Sequence, residues 1–169
     1  AGFERIRDRI AVEQGRYAVV TLHRPSNVDH PETFRGILDA LRQIARDMPI
    51  VFPVHPRTRA RLAELGVEGG LDCFVLTEPL GYIDFLCLTS NASLILTGSG
   101  GLQEESTALG IPCVTIRENT ERPVTITHGT NRLVGTRTAD IVRGYGEARS
   151  TPAPATRPEL WDGKTAPRI

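Results

Sequence analysis

Short apolar segments alternate with amphipathic segments along this chain, and the alternation predicts an α/β fold of three layers around a parallel sheet. The apolar segments, such as "RYAVVTLH" and "ASLILT", are rich in β-branched residues, which is typical of buried strands. The segments between them repeat apolar residues at spacings of three and four, the period of one helical face. Strand–helix–strand units of this kind join parallel strands and cover both faces of the sheet with helices.

The strands come at regular intervals. They are predicted over residues 16–23, 50–55, 73–79, 92–97, 112–117 and 131–136. The first long helix is predicted over residues 29–48, where apolar residues recur from Phe34 to Ile44 and Pro31 suits the first turn. Further helices are predicted over residues 57–65, 82–91, 101–110 and 138–149. Together these elements predict a Rossmann-like domain over residues 1–150.

Length and charge narrow the class of protein. The 169 residues suffice for one sizeable core, and the 20 basic and 20 acidic residues balance. No overall field therefore draws the chain to nucleic acid or to an anionic membrane. The longest apolar run, Ala92 to Thr97, is too short to span a bilayer, and no secretory leader opens the chain. Ala1 and Gly2 resemble a cut edge, so we expect a piece of a longer protein.

The three cysteines, Cys73, Cys87 and Cys113, cannot all pair, and each has apolar neighbours. No spacing of cysteine and histidine typical of a zinc site is present. We interpret all three as reduced core residues of a cytoplasmic protein. The tail over residues 151–169 is proline-rich and is predicted to be a strap, whose Trp161 and Ile169 we expect to pack against the domain.

Polar and cationic residues follow the predicted strands. In open parallel sheets, ligands bind beyond the carboxyl ends of the strands, so the residues found there are candidates for a site. These candidates are His23, Arg24, His55 and the segments 78–81, 98–101 and 117–122. Their convergence at one edge of a sheet predicts a binding site.

The segment "TGSGGLQEE" combines a strand end, a glycine turn and a helix start. Gly100 and Gly101 would let a phosphate approach the backbone, where free N–H groups and the helix dipole favour negative charge. Ser99 adds a hydroxyl donor. The segment lacks the Walker and Gly-x-Gly-x-x-Gly patterns. A turn that needs glycine only for packing therefore remains an alternative.

Each of the two glutamates after the turn has two interpretations. Either carboxylate can simply favour the dipole at the start of a helix. Alternatively, Glu105 lies four residues past Gly101, about 6 Å further along a helix, which is one sugar away from a bound phosphate. A carboxylate there could accept two hydrogen bonds from a ribose diol.

Three more residues keep open alternatives. His23 ends a strand, where a histidine is either structural or, beside a phosphate and Arg24, functional. Arg122 is either a solvated loop arginine or a phosphate ligand. Phe85 is either a core residue or a ring that stacks on a base.

Six segments of the chain, in this order and spacing, resemble the carboxyl-terminal half of the non-hydrolysing UDP-N-acetylglucosamine 2-epimerases. They are "VTLHRPSNVD", "FPVHPRT", "EPLGYIDFLCL", "LTGSGGLQEES", "IRENTERPVTITHGTNRLVGT" and "WDGKTAPRI". The resemblance implies half of a GT-B fold, whose full protein interconverts UDP-GlcNAc and UDP-ManNAc by eliminating and re-adding UDP. It implies no nicotinamide cofactor and no metal, and it implies a homodimer formed through the full-length protein.

The resemblance also implies roles for individual residues. The diphosphate would be held by Ser99, Gly100, Gly101 and Arg122, and the ribose by Glu105. Leu80, Gly81 and Phe85 would lie near uracil. His23 would assist the departure of the diphosphate, and Arg24 and His55 would contact a second, activating nucleotide sugar.

The chain departs from the family pattern at Gly98, where aspartate is usual, at Ser26, where glutamate is common, and at Pro56 and Arg57. The carboxylates that handle the proton on sugar carbon 2 belong to the amino-terminal domain, which this chain lacks. We therefore expect the chain alone to be inactive. A GT-B glycosyltransferase and a non-catalytic nucleotide-sugar sensor remain alternatives.

Overall fold

The computed structural model describes residues 2–67, 71–151 and 157–169. Its centre is a six-stranded sheet in the order β3-β2-β1-β4-β5-β6, with every neighbouring pair parallel. The strands are β1 (Ala18–Thr21), β2 (Ile50–Pro53), β3 (Phe74–Thr77), β4 (Leu94–Thr97), β5 (Cys113–Thr115) and β6 (Asn131–Leu133). The prediction of an α/β fold with a parallel sheet is confirmed.

Helices connect the strands and cover both faces of the sheet. They are α1 (Gly2–Ile10), α2 (Pro25–Val28), α3 (Pro31–Ala45), α4 (Pro56–Glu64), α5 (Tyr82–Ser90), α6 (Gly100–Leu109), α7 (Val124–Thr127), α8 (Thr138–Ser150) and α9 (Thr165–Arg168). The predicted end of α6 is confirmed, because Gly110 caps it in the left-handed conformation with φ of 73°. The sequence reasoning missed α1, α2, α7 and α9.

Alternation along the strands builds two cores. On one face, Val20 and Phe52 pack with buried residues of α3 and α8, such as Leu38 and Ile141. On the other face, Val19 packs against α1 and α5 in a second buried cluster. Since successive strand residues point to opposite faces, strands buried on both sides are apolar throughout, as the sequence reasoning assumed.

The strand order places the site. The chain runs outward from β1 through β2 to β3, then returns to β4 beside β1 and continues outward on the other side. Ligands bind in open α/β sheets at such a reversal, beyond the carboxyl ends of the strands. Thr21 and Thr97 are partners at the ends of β1 and β4, and their hydroxyl oxygens lie 2.6 Å apart. The segments after these two strands therefore lie side by side.

Two expectations about individual residues are wrong. Ile169 is fully exposed at the end of the tail, where a bidentate contact of Arg168 with Asp162 holds the backbone instead. Cys73 is also exposed, because it lies in the turn before β3 rather than in that strand. Cys87 is half-buried and Cys113 is buried.

The predicted boundary between the domain and its strap stays a prediction. Residues 152–156 of that strap lie outside the described residues. Trp161 is half-buried and lines a shallow groove with Ala108 of α6. None of the helices in the described ranges is long and apolar enough to cross a membrane.

Candidate functional site

A cavity of about 340 Å³ opens at the carboxyl ends of the central strands. Most of the residues predicted for the site line it, namely His23, His55, Leu80, Phe85, Ser99, Gly101 and Glu105. Gly81 and Gly100 lie between lining residues along the chain. Tyr82, which is 63% exposed, also lines the cavity and was not among the predicted residues. One cavity thus gathers side chains from four separate segments of sequence.

The glycine turn between β4 and α6 is held by a hydrogen bond to the last residue of β4. The backbone N–H of Ser99 donates to the Thr97 hydroxyl at 2.9 Å, and α6 begins at the next residue, Gly100. The Ser99 side chain makes no capping hydrogen bond to α6. Because the first N–H groups of a helix have no acceptor within it, this end of α6 can accept an anion.

Gln103 joins the turn to the segment after β5. Its side chain is fully buried and donates to the Ser99 carbonyl at 3.2 Å. Its amide oxygen accepts from the Thr120 hydroxyl at 2.6 Å and from the Asn131 amide at 3.2 Å. This network was not predicted from the sequence, since Thr120 and Asn131 are distant from Gln103 along the chain. It ties the glycine turn to the segments around β5 and β6.

The two glutamates of α6 have different surroundings. Glu104 forms an ion pair with Arg122 at 2.8 Å. Glu105 is half-buried and lines the cavity, and within the described part of the chain its carboxylate has no hydrogen bond or ion pair. A carboxylate that faces a cavity without a partner can accept hydrogen bonds from a ligand. The geometry therefore favours the ligand-binding interpretation for Glu105 and the structural one for Glu104.

Two histidines face each other across the cavity. The ring centroids of His23 and His55 are 6.0 Å apart. His55 caps α4, where its Nδ1 accepts the backbone N–H of Arg57 at 3.2 Å. Desolvation by the walls of the cavity, His55 and Arg24, in that order, lower the pKa of His23 below its usual value of 6.5, although the residue remains exposed on its open side. The neutral ring is therefore favoured in the free chain, and a bound anion would favour the charged form.

Arg24 lies at the start of α2, next to the glycine turn. A Cβ added to Gly100 would be 3.9 Å from the Arg24 guanidinium, at Nη2. Arg24 also helps to lower the pKa of Glu121, but it forms no side-chain hydrogen bond or ion pair with any residue that the structure describes. It is thus a half-buried cation, without a bonded acid, beside the turn predicted to hold phosphate.

The arginines after β5 are both paired with acids. Arg117, whose side chain is 7% exposed, donates to both carboxylate oxygens of Glu121 at 2.9 and 2.7 Å and to Asn119 at 3.2 Å. Mainly through this bond, the pKa of Glu121 falls to about 2. Arg122 is paired with Glu104 and does not line the cavity. Its predicted contact with phosphate stays a prediction.

Across residues 2–67, 71–151 and 157–169, no group of three or more histidine, cysteine, aspartate or glutamate side chains is placed to hold a metal ion. The groups at the cavity are suited to anion binding, to hydrogen bonding and to proton exchange at an imidazole. Such a set of groups fits a phosphorylated, hydroxyl-bearing ligand with a flat ring.

Comparison with known proteins gives close relatives of this fold. A solved structure of UDP-GlcNAc 2-epimerase from Methanocaldococcus jannaschii, in complex with UDP-GlcNAc and UDP, superimposes with a TM-score of 0.81 at 38% sequence identity, covering 88% of this chain and 42% of that one. The heptosyltransferase WaaC of E. coli superimposes with a TM-score of 0.55 at 16% sequence identity, and the match covers 87% of this chain and 46% of WaaC. This likeness shows the same fold. The chain therefore has the architecture of half of a GT-B fold, as predicted.

Sequence comparison leads to the same group of proteins. The curated UDP-N-acetylglucosamine 2-epimerase of M. jannaschii is 43% identical over 132 residues, which are 75% of this chain and 36% of that protein. The chain thus spans little more than a third of the length of this relative. The family model described as UDP-N-acetylglucosamine 2-epimerase matches residues 3–169. By its sequence and its fold, the chain belongs to the UDP-N-acetylglucosamine 2-epimerase family.

Proposed function

We propose that this chain is the UDP-binding half of an enzyme that interconverts UDP-GlcNAc and UDP-ManNAc by elimination and re-addition of UDP. The observation that carries the proposal is the unpaired carboxylate of Glu105, one helical turn past the glycine turn and in the same cavity. An anion site followed by a diol-binding carboxylate matches a nucleoside diphosphate. The M. jannaschii relative has been solved with UDP-GlcNAc and UDP.

The groups of this chain would act on the leaving nucleotide. In the elimination, a base removes the proton from sugar carbon 2, the bond between carbon 1 and the phosphate oxygen breaks, and UDP leaves with the bonding electrons. The backbone N–H groups of Gly100 and Gly101 and the cation of Arg24 would stabilise the charge that develops on the diphosphate. His23, once the diphosphate has favoured its protonation, would donate a hydrogen bond to it.

The base and the acid for sugar carbon 2 would come from the amino-terminal part of the full-length protein. We therefore expect this chain alone to bind uridine nucleotides weakly and to leave UDP-GlcNAc unchanged. Since the chain covers 36% of its M. jannaschii relative, the remaining length could supply a second domain. Robust turnover of UDP-GlcNAc by the chain alone would contradict this division of roles.

Calorimetric titration with UDP, uridine and ADP tests the binding proposal directly. We expect UDP to bind more tightly than uridine, because it adds the diphosphate, and more tightly than ADP, because the cavity would select the smaller base. The full-length protein, given UDP-GlcNAc without any acceptor, is expected to form UDP-ManNAc. A glycosyltransferase would form none, and a nucleotide-sugar sensor would leave carbon 2 unexchanged in deuterated water.

The resemblance supports two further parts of the proposal. It assigns Arg24 and His55 to a second, activating nucleotide sugar; His55 lines the cavity and would make that contact, whereas Arg24 lies beside the glycine turn and would contact the diphosphate instead. The full-length protein would form a homodimer. A third part, a cytoplasmic location, is supported by Cys87 and Cys113, which are free thiols, as is typical of a reducing compartment.

A further inference from the structure

Asn27 is a fully buried amide in the segment that follows β1. It lies on α2, and its Nδ2 donates to the backbone carbonyl of Ile116, just past the end of β5, at 2.8 Å. Its Oδ1 is buried as well and accepts no hydrogen bond from the described residues. A buried amide oxygen without a donor is costly, so its position calls for a physical reason.

Gly98, the first residue after β4, leaves the space that this amide oxygen occupies. A Cβ built on Gly98 would lie 2.6 Å from Oδ1 of Asn27 and 3.5 Å from its Cγ. Real Cβ atoms do not approach other heavy atoms to less than 3.0 Å. A side chain at position 98 would therefore displace the Asn27 amide, which its bond to Ile116 holds in place, whereas glycine lets the amide lie directly against the turn.

The amide and Arg24 belong to the same helical turn. The backbone N–H of Asn27 donates to the carbonyl of Arg24 at 3.0 Å. The Cγ of Arg24 lies 3.7 Å from the point that a Cβ added to Gly98 would occupy. The guanidinium Nη2 of Arg24 lies 3.9 Å from the point that a Cβ added to Gly100 would occupy. A shift of Asn27 would therefore carry Arg24 with it, relative to the glycine turn.

We propose that Asn27, seated against Gly98 and bonded to Ile116, is a positioning residue that holds Arg24 beside the phosphate-binding turn. The inference rests on the proposed function, because it takes a uridine diphosphate as the ligand. Three strand ends meet at this amide: α2 follows β1, Gly98 follows β4, and Ile116 follows β5. The amide therefore joins the segment after β1 to the turn after β4 and to the segment after β5.

The test is a double-mutant cycle measured by calorimetry with UDP and with uridine. Gly98→Ala is expected to lower UDP affinity about tenfold, since residues in contact couple by an amount of that order. Uridine, which lacks the phosphates, should lose little affinity. In the Asn27→Ala background, the amide is gone, and the same Gly98→Ala step should change UDP affinity by less than about twofold.

Two comparisons separate positioning from simple destabilisation. Gly144→Ala makes an equally close contact elsewhere, since its Cβ would lie 2.4 Å from Cγ1 of Val134 in a part of α8 outside the cavity. It should lower the Tm but leave the ratio of UDP to uridine affinity unchanged. Asn27→Ala alone creates no clash and keeps the test valid if Gly98→Ala fails to fold. Asn27→Ala should lower the affinity for UDP and leave the affinity for uridine nearly unchanged.

The outcomes are distinguishable. If Gly98→Ala weakens UDP and uridine alike, or weakens UDP equally in the presence and absence of Asn27, the positioning role is wrong. The same holds if Asn27→Ala leaves UDP binding unchanged. If the wild-type chain itself binds no UDP, the proposed function fails first.

Discussion

Arg122 and Glu104 form an ion pair at 2.8 Å. Glu104 directly precedes Glu105, the residue whose carboxylate faces the cavity. The pair separates two adjacent glutamates into a bonded one and a free one. It also occupies the arginine that the sequence reasoning assigned to the diphosphate. Both side chains of the pair remain about two-fifths exposed, at 43% and 41%, so the pair itself adds little stability and can be exchanged for a stronger partner.

Arg122→Ala is expected to lower UDP affinity by about tenfold or more and to change uridine binding little, because a charge-assisted contact with phosphate is lost. Calorimetry with both ligands measures the difference. Glu104→Gln is the matched control: it releases Arg122, so UDP binding should not weaken. Equal weakening of UDP and uridine by Arg122→Ala would place Arg122 away from the phosphates.

Glu105→Gln is expected to weaken UDP by about tenfold or more, because a neutral amide accepts hydrogen bonds from the ribose diol less strongly than a carboxylate. The 2′,3′-dideoxy analogue of UDP lacks both hydroxyls and should be nearly unaffected. Competition binding with the two nucleotides measures the ratio. If Glu105→Gln lowers the affinity for both nucleotides by the same factor, the carboxylate does not bind the ribose.

The pH dependence of binding is expected to follow His23. Its pKa is lowered in the free chain, so folding favours the neutral ring, and a diphosphate favours the charged ring. UDP affinity should therefore rise as the pH falls toward 6.5 and below, with uptake of a proton on binding. Calorimetry in buffers of different ionisation enthalpy detects the proton, and His23→Gln should abolish the uptake.

The stability of the free chain should show the opposite trend. Because the unfolded chain binds a proton at His23 more readily, the free energy of unfolding should fall as the pH drops below 6.5. His23→Gln should flatten this part of the curve. His128→Gln is the control, since His128 does not line the cavity. A curve that His128→Gln changes as much as His23→Gln does would show that His23 is not responsible.

Glu121→Gln is expected to lower the Tm at neutral pH, because the nearly buried guanidinium of Arg117 loses its counter-charge. The pKa of Glu121 falls from 4.5 to about 2, so its contribution is complete above pH 4.5 and is lost as the pH falls through about 2. The difference in Tm between variant and wild type should shrink over that range. Glu13→Gln, which breaks an exposed pair with Arg16, should change the Tm little.

The sequence predicted what depends on local patterns. The strands and the longer helices follow from apolar periodicity, and the glycine turn and Gly110 follow from the backbone freedom that only glycine supplies. The helix α1 could also have been found, since Phe3, Ile6 and Ile10 recur at helical spacing. The helices α2, α7 and α9 have four residues each, which is too short for periodicity to show.

Contacts between distant segments could not be predicted. Nothing near Arg122 in the sequence indicates that Glu104 will neutralise it, and nothing near Gly98 indicates that the Asn27 amide fills the space beside it. Such contacts depend on which strand ends become neighbours. The prediction that Ile169 packs failed for a related reason, because apolar character does not say whether a surface lies within reach of the end of the chain.

The buried hydrogen bonds of Gln103 have a consequence for the entropy of binding. Because they tie Ser99 to the segment after β5, the turn loses its conformational freedom when the sheet folds and not when the nucleotide arrives. A rigid receptor of this kind loses little further order on binding. The entropy lost at that moment therefore belongs mainly to the nucleotide itself, whose ribose and diphosphate torsions must adopt the geometry that the turn already has.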